Sequence, residues 1–216
     1  MDGLENVKPE NYQWYADNQQ QGNFTLHELG PALSTNFFWF NLNTVQKADN
    51  GRKVGDPIVD PVKYAWFNNP VFRRAVSMAV DREAMIPSIF FGDGVKNWST
   101  ATPGSKVWYT PEIVKYDYNP TGSKRLLASL GWKDSNGDGV LEDTGGHPIS
   151  FTIKTNSDNK TRVGMANFIR DDLAKVGIKV TLVPVDFNTL VSNLRDDRQY
   201  DTILLGLQSG VPPDPA

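Results

Sequence analysis

The residues of this sequence whose types and spacing could do chemistry lie in one short run. The run DSNGDGVLED begins at Asp134, with oxygen-bearing side chains at its first, third and fifth positions and a glycine at its sixth. This spacing matches the start of a calcium loop of the EF-hand type, in which oxygen atoms surround the ion. The ligands that it predicts are Asp134, Asn136, Asp138, the carbonyl of Val140, and Glu142, with Asp143 as the alternative to Glu142.

A polar turn without a metal is the other interpretation of this run. The twelfth position is Gly145, where a complete EF-hand has a bidentate glutamate, and no pair of flanking helices is evident. Aspartate and asparagine side chains can hold such a turn through hydrogen bonds to their own backbone. Apart from this possible Ca²⁺, the sequence suggests no cofactor.

Other patterns that would carry catalysis do not occur. His27 and His147 are the two histidines, and neither belongs to a zinc-binding helix motif. The chain has no cysteine, no nucleophile-elbow serine and no phosphate loop. The sequence therefore predicts no enzyme, although a hydrolase whose reactive groups meet only in space stays as an alternative.

The composition indicates a globular chain that binds neither nucleic acid nor a bilayer core. Its 216 residues carry a net charge of −3 and are 39% hydrophobic, without a basic stripe or a long apolar run. This length fits one or two domains, and we expect one. Charged Asp2, Glu5 and Lys8 stand where a signal peptide would be apolar, so we expect either a cytosolic protein or a piece of a longer exported chain.

The longest helical pattern runs from Asn68 to Phe91. Pro70 suits a first helical turn, and either asparagine before it can cap the helix. Asp81 predicts a second cap and a second short helix. Apolar residues at helical spacing are expected to be buried, namely Phe72, Ala75, Val76, Ala79, Val80, Ala84, Met85, Ile89 and Phe90.

Strands and helices alternate after this segment, which predicts parallel strands with helices on the faces of the sheet. Before it, we expect a helix over Pro9–Gln21, strands over Phe24–Leu29 and Thr35–Leu42, and a loop over Gln46–Pro61. After it, the expected elements are a helix from Pro120 to Gly131, a strand from Phe151 to Thr155, a helix over Thr161–Val176, a strand over Ile178–Val185, a helix capped by Asp186, and a strand over Tyr200–Leu207.

Several of these segments resemble the family-5 extracellular solute-binding proteins, the dipeptide- and oligopeptide-type receptors of ABC importers. The segment NPVFRRAVSMAVDREA is similar to a helical signature of that family. YNPTGSKRLLASLGW, IRDDLAKVGIKVTLVPVDFNTL and YDTILLGL resemble further family motifs, in the family's order. Similar turns rich in aspartate and glycine also occur there, usually as structural elements.

The resemblance implies an α/β fold of the periplasmic-binding-protein-like type II class, a mixed sheet with helices on its faces. Residues 1–216 would form a single C-terminal lobe, with the N-terminal lobe absent. A lobe of this kind captures a peptide or an oligosaccharide by clamshell closure, and an ABC permease recognises the closed form. The full-length protein would be periplasmic or extracellular, with a possible lipid anchor; a sensory receptor with the same clamshell is the alternative.

The resemblance also points to the loop after the last strand as part of the solute site. In the family, a tryptophan follows the glycine of that strand, and an aspartate three residues later binds the α-ammonium of a peptide. This sequence has Leu207 and Gly210 there, so a neutral or differently charged solute fits as well, unless Asp214 folds back to substitute. The predicted solute-facing residues are Asn36, Trp39, Gln208, Ser209, Gly210 and Asp214. For Trp39 a role in the core is favoured over stacking on a ligand, whereas for Gln208 and Ser209 the two interpretations are about even.

Overall fold

The computed structural model describes residues 7–48 and 51–210. In this part of the chain, seven α-helices and one 3-10 helix accompany a four-stranded sheet. The elements in chain order are α1 Pro9–Gly22, β1 Ser34–Phe40, α2 Pro61–Asn68, α3 Pro70–Ala79, α4 Arg82–Phe90, the 3-10 helix Pro103–Trp108, α5 Pro120–Ser129, β2 Ser150–Asn156, α6 Lys160–Ala174, β3 Lys179–Val185, α7 Phe187–Arg195 and β4 Thr202–Gln208.

The described residues group into two compact units. Unit 1 contains residues 7–35, 82–114 and 207–210, and unit 2 contains residues 36–48, 51–81 and 115–206. Unit 2 includes α2, α3, α5, β2, α6, β3 and α7. Whether both units belong to one lobe of a longer protein stays a prediction.

The sheet is mixed, as the resemblance implied. Its strand order is β1-β4-β2-β3, and β2 pairs in parallel with both β3 and β4. Two hydrogen bonds show that β1 runs antiparallel to β4: the N–H of Asn41 donates to the carbonyl of Asp201 at 2.8 Å, and that of Ser209 to the carbonyl of Leu33 at 3.2 Å. The amino end of β1 therefore lies at the same sheet edge as the carboxyl ends of β2 and β3.

The predicted helix boundaries follow from local capping. The side chain of Asn69 accepts a hydrogen bond from the N–H of Val71 at 2.8 Å, so the second of the two candidate asparagines caps α3. Asn119 caps α5 in the same way, by accepting from Gly122 at 2.7 Å. Asp186 caps α7, as predicted.

An aromatic core holds α2, α3 and the sheet together in unit 2. The ring of Phe40 lies 4.9 Å from that of Phe67, 5.5 Å from that of Phe72 and 5.9 Å from that of Phe151. The last three side chains are at most 2% exposed. The buried face predicted for α3 is confirmed, since Phe72, Ala75, Val76, Ala79 and Val80 are all buried.

The apolar face predicted for α4 is confirmed only in part. Met85 is buried, whereas Ala84, Ile89 and Phe90 are half-exposed. The apolar residues of α4 lie around most of the helix, so packing on one side cannot cover them all.

The strand predicted over Phe24–Leu29 is wrong. These residues are irregular, and Leu29 is 93% exposed. The segment instead returns along α1: the N–H of Phe24 donates to the carbonyl of Gln19 at 3.2 Å, and that of Leu26 to the Gln19 side chain at 2.8 Å. These bonds satisfy backbone groups that a strand would have paired in a sheet.

The loop predicted up to Pro61 ends in a helix that the sequence analysis missed. α2 begins at Pro61, and the carboxylate of Asp60 accepts from the N–H groups of Val62 at 2.8 Å and Lys63 at 3.3 Å. An aspartate followed by a proline is a helix-start signal that could have located it.

Candidate functional site

The Asp134 loop brings three carboxylates together. One carboxylate oxygen from each of Asp134, Asp138 and Glu142 lies within 4.8 Å of the other two. Backbone N–H groups orient the first two: Gly137 and Gly139 donate to Asp134 at 2.7 and 2.9 Å, and Val140 donates to Asp138 at 2.8 Å. The Asn136 side chain accepts from the N–H of Asp138 at 2.9 Å. The loop could therefore present several oxygen atoms to a cation.

The side chain of Asp143, the alternative ligand, accepts hydrogen bonds from groups outside this acidic group. Its Oδ2 accepts from the indole N–H of Trp66 at 2.9 Å, and its Oδ1 accepts from the N–H groups of Gly145 and His147 at 2.8 and 2.9 Å. Among the described residues, the acidic group that faces the loop includes Glu142 and not Asp143. Whether Glu142 or Asp143 faces the loop depends on the path of the backbone after the loop. The spacing of residues in the sequence does not reveal that path.

The pKa of Asp143 predicts how the stability of the protein depends on pH. Burial alone raises this pKa, but hydrogen bonds from His147, Trp66 and Gly145 outweigh burial and hold it below its usual value. A carboxylate with a lowered folded-state pKa stabilises the fold above its unfolded pKa of about 3.9, and this contribution is lost as the pH falls through the folded value.

We therefore expect Asp143→Asn to be less stable than the wild type at pH 7 by about 1–2 kcal/mol, with a smaller difference at pH 3. Urea unfolding at both pH values measures this. Asp171→Asn is the control, because the Asp171 side chain is 62% exposed. If the loss of stability caused by Asp143→Asn grew as the pH fell, the lowered pKa given to Asp143 would be contradicted.

Asn36 and Trp39 lie on opposite faces of β1, since neighbouring side chains alternate along a strand. Asn36 is half-buried, and its Oδ1 accepts from the Nε of Arg162 at 3.0 Å. Trp39 packs against the buried cluster of Leu190, Tyr200, Ile203 and Leu205 on the other face. Side chains on both faces of β1 are thus packed against other parts of the chain.

Trp39 also lines an open cleft of about 550 Å³ in unit 2. The cleft lies near the carboxyl end of β1, away from Asn36 at the amino end. Its other lining residues include Leu42, Leu194, Arg195, Arg198 and Tyr200. Trp39 therefore serves the core and still presents part of its surface to solvent.

Arg162 is a candidate site residue that the sequence analysis missed. It lies in the first turn of α6, and besides Asn36 it binds Asn156, whose Oδ1 accepts from Nη1 at 3.0 Å. Asn156 in turn donates to Asp158 at 2.7 Å. Burial lowers the pKa of the Arg162 guanidinium, and the charge of Asp158 opposes that shift. We call Asn36, Asn156, Asp158 and Arg162 the Arg162 cluster.

The Arg162 cluster stands where α/β proteins usually bind ligands. Asn156 is the last residue of β2, and α6 begins four residues later. Ligands of α/β sheets bind outside the carboxyl ends of the strands, so this edge of unit 2 is the place to expect a solute. A half-buried cation held by two amides suits a carboxylate or another polar group.

Of the other predicted solute-facing residues, Gln208, Ser209 and Gly210 belong to unit 1. Gln208 ends β4 and is exposed, and Ser209 is half-buried, with its N–H donating to the carbonyl of Leu33. Gly210 is exposed, and within residues 7–48 and 51–210 a Cβ added there would meet no atom within 4 Å apart from its chain neighbours. Asp214 lies outside the described residues. The roles of all six residues in binding stay predictions.

The two histidines belong to different units, His27 to unit 1 and His147 to unit 2. His27 is exposed in the irregular segment after α1. His147 is half-exposed, and its Nδ1 lies 3.1 Å from Asp143. Neither belongs to the group of acidic residues at the Asp134 loop. Within residues 7–48 and 51–210, no helix is both long and apolar enough to cross a bilayer.

The mixed sheet with helices on its faces and polar groups at the carboxyl ends of its strands defines a periplasmic-binding-protein-like domain of type II. All 216 residues match the profile of the bacterial extracellular solute-binding proteins, family 5 Middle. The chain belongs to this family.

Relatives with named ligands or roles support the same conclusion. A probable ABC transporter-binding protein of Deinococcus radiodurans is 36% identical over 153 residues, which is 68% of this chain and 26% of that protein. The oligopeptide-binding protein AppA of Bacillus subtilis is 33% identical over 181 residues, 79% of this chain and 33% of AppA. A periplasmic alpha-galactoside-binding protein of Rhizobium meliloti is 28% identical over 134 residues, 60% of this chain and 19% of that protein.

A solved structure of B. subtilis AppA in complex with a nonapeptide has the same fold. It superimposes with a TM-score of 0.69 at 27% identity, covering 96% of this chain and 41% of AppA. In the sequence alignments, the matched part of the chain spans a third or less of the length of these curated relatives.

Proposed function

We propose that this chain is part of the solute receptor of an ABC importer, which captures a small solute and leaves its bonds intact. The observation that carries the proposal is the match of the whole chain to a family of extracellular solute-binding proteins. In the full-length protein, a periplasmic or extracellular location and an ABC permease as partner follow from the same membership. A lipid anchor is a further part of this proposal.

The Arg162 cluster is our proposal for the contribution of unit 2 to the solute site. It offers one guanidinium and two amides at the carboxyl end of β2. Solute contacts that form only in a closed state of the full-length protein would shift its equilibrium toward closure. The permease would then distinguish the closed state from the open one.

The solute class depends on what replaces the carboxylate that the family resemblance places after β4. Gly210 stands at that position and offers no charge. Burying an ammonium group without an anionic partner is costly, so we propose that the receptor does not depend on a free peptide N-terminus. Peptides and oligosaccharides are the two candidate solutes. Among the relatives, AppA is an oligopeptide-binding protein and another is an alpha-galactoside-binding protein.

We expect the full-length protein to bind a peptide with a free N-terminus and its N-acetylated form with affinities within a factor of ten. We expect Gly210→Asp to bind the free form roughly 10–100 times more tightly than the wild type does, because a charged hydrogen bond contributes about 1.5–3 kcal/mol. A Cβ added at Gly210 would meet no atom of the described residues within 4 Å, its chain neighbours aside. Isothermal titration calorimetry of both forms measures the change.

Gly94→Asp is the matched control, because a Cβ there makes ordinary contacts, the nearest at 3.5 Å. A wild-type preference for the free form of more than a hundredfold would refute the proposal about the N-terminus. Thermal-shift screening of the full-length protein against peptides and oligosaccharides tests the receptor function itself, since a ligand raises the apparent stability by mass action. Turnover of a bound peptide or glycan would favour the hydrolase alternative, and transport without any signalling output would exclude the sensory one.

A further inference from the structure

We propose that the Asp134 loop is a calcium site, independent of the solute site. Three carboxylates converge there within 4.8 Å, and they are drawn from residues 134, 138 and 142 of one loop. Like charges at this separation repel one another, and a divalent cation would remove that repulsion. Acidic clusters on surfaces are common, however, so the cluster alone does not carry the proposal.

Glu142 provides the second, independent observation. The residue is only 7% exposed, although glutamate is rarely buried without a partner. Its Oε2 accepts from the N–H of Ser135 at 2.7 Å, whereas its Oε1 is buried and has no hydrogen-bond partner within the part of the chain that the structure describes. A buried carboxylate oxygen without a donor is unfavourable, and coordination to a cation would satisfy it.

The donor set selects calcium among the divalent cations. The candidate ligands are carboxylates, the amide oxygen of Asn136 and the carbonyl of Val140, all of which are hard oxygen donors. Calcium accepts six to eight such ligands in flexible geometry, whereas magnesium requires a near-ideal octahedron. The glutamate that usually closes an EF-type loop at its twelfth position is Gly145 here, so Glu142 at the ninth position takes its place.

The position of Glu142 couples the loop to the sheet. Its backbone pairs with Lys133 on one side and Pro148 on the other. The adjacent Leu141 donates its N–H to the carbonyl of Gly177 at 2.8 Å, just before β3, and accepts from Ile149 at 2.7 Å, just before β2. An ion on Glu142 would therefore tie the loop to the starts of two parallel strands, in a chain that has no cysteine for a disulfide.

The test is calcium titration of the purified protein after removal of divalent ions by a chelator. From the ligand set we expect a Kd on the order of 10⁻⁴–10⁻³ M, the range of extracellular calcium modules. At ten times the Kd, calcium should raise the Tm by roughly 3–5 °C. Magnesium at the same concentration should bind at least about ten times more weakly, because it dehydrates reluctantly and needs stricter geometry.

Two variants remove ligands, and one matched variant does not. Glu142→Gln and Asp138→Asn should each weaken calcium binding by about tenfold or more. Glu112→Gln removes the same charge at an exposed position of unit 1 and should leave binding unchanged. Asp138 is exposed, so Asp138→Asn decides the question even if Glu142→Gln does not fold.

The proposal is overturned if the wild type shows neither heat of binding nor a Tm shift with 10 mM calcium chloride, or if Asp138→Asn retains the full wild-type response. An equal response to magnesium would overturn the assignment to calcium. The readout does not involve the solute, so a failure of the receptor proposal and a failure of the calcium proposal are separate results.

Discussion

Phe72→Ala is expected to lower the free energy of unfolding by about 3–5 kcal/mol, the usual range for a buried phenylalanine. Phe72 is 0% exposed. Its ring lies 5.4 Å from that of Trp132, 5.5 Å from that of Phe40, 6.3 Å from that of Phe67 and 6.4 Å from that of Phe151. Because the neighbours belong to α2, β1, β2 and the turn after α5, they cannot all move inward to fill the cavity.

Urea unfolding measures this loss as a lower midpoint with an unchanged slope. Phe91→Ala is the matched control: Phe91 is 67% exposed, so the same substitution should change stability by less than about 0.5 kcal/mol. The loss of stability for Phe72→Leu should lie between those for Phe72→Ala and Phe91→Ala, since leucine retains much of the apolar volume. A loss below about 1 kcal/mol for Phe72→Ala would mean that this aromatic cluster is not the main core of unit 2.

Asp172→Ala is expected to destabilise the protein by about 2–3 kcal/mol, because it removes a charged acceptor from a buried position. Asp172 is 2% exposed. Its Oδ2 accepts from the N–H of Asp81 at 2.8 Å, and its Oδ1 binds the Nζ of Lys175 at 2.7 Å. The first bond holds the break between α3 and α4 against α6, far from it in sequence.

The neighbouring residue provides the control for this prediction. Asp171 is exposed and pairs with Arg170 at 2.8 Å, so Asp171→Ala should cost less than about 1 kcal/mol, as exposed ion pairs do. Asp172→Asn keeps an oxygen for the N–H of Asp81 and should lose less than Asp172→Ala. Chemical denaturation at pH 7 compares the three variants, and equal losses for Asp171→Ala and Asp172→Ala would refute the role given to Asp172.

The hydrogen bond from the N–H of Asp81 to Asp172 could not be predicted from the sequence. The helix that begins after Asp81 was predictable from local residue types, because start signals act within one turn. The partner that holds Asp81 lies ninety-one residues further along the chain, on a helix whose own sequence pattern shows only an inward face. No local signal connects the two.

Sequence alone determined the features that depend on near neighbours: the capped helices, the alternation of strands and helices after Pro120, and the oxygen-rich run at Asp134. Capping, periodicity and turn chemistry act over a few residues, so they can be read from the order of the amino acids.

Only the tertiary structure decided which carboxylate faces the Asp134 loop, which face of β1 carries Asn36, and that Arg162 joins the amino end of β1 to the end of β2. It also decided that Phe24–Leu29 returns along a helix and does not pair in the sheet. These outcomes depend on strand register and on the return path of the chain, and both are selected by burying the whole core at once.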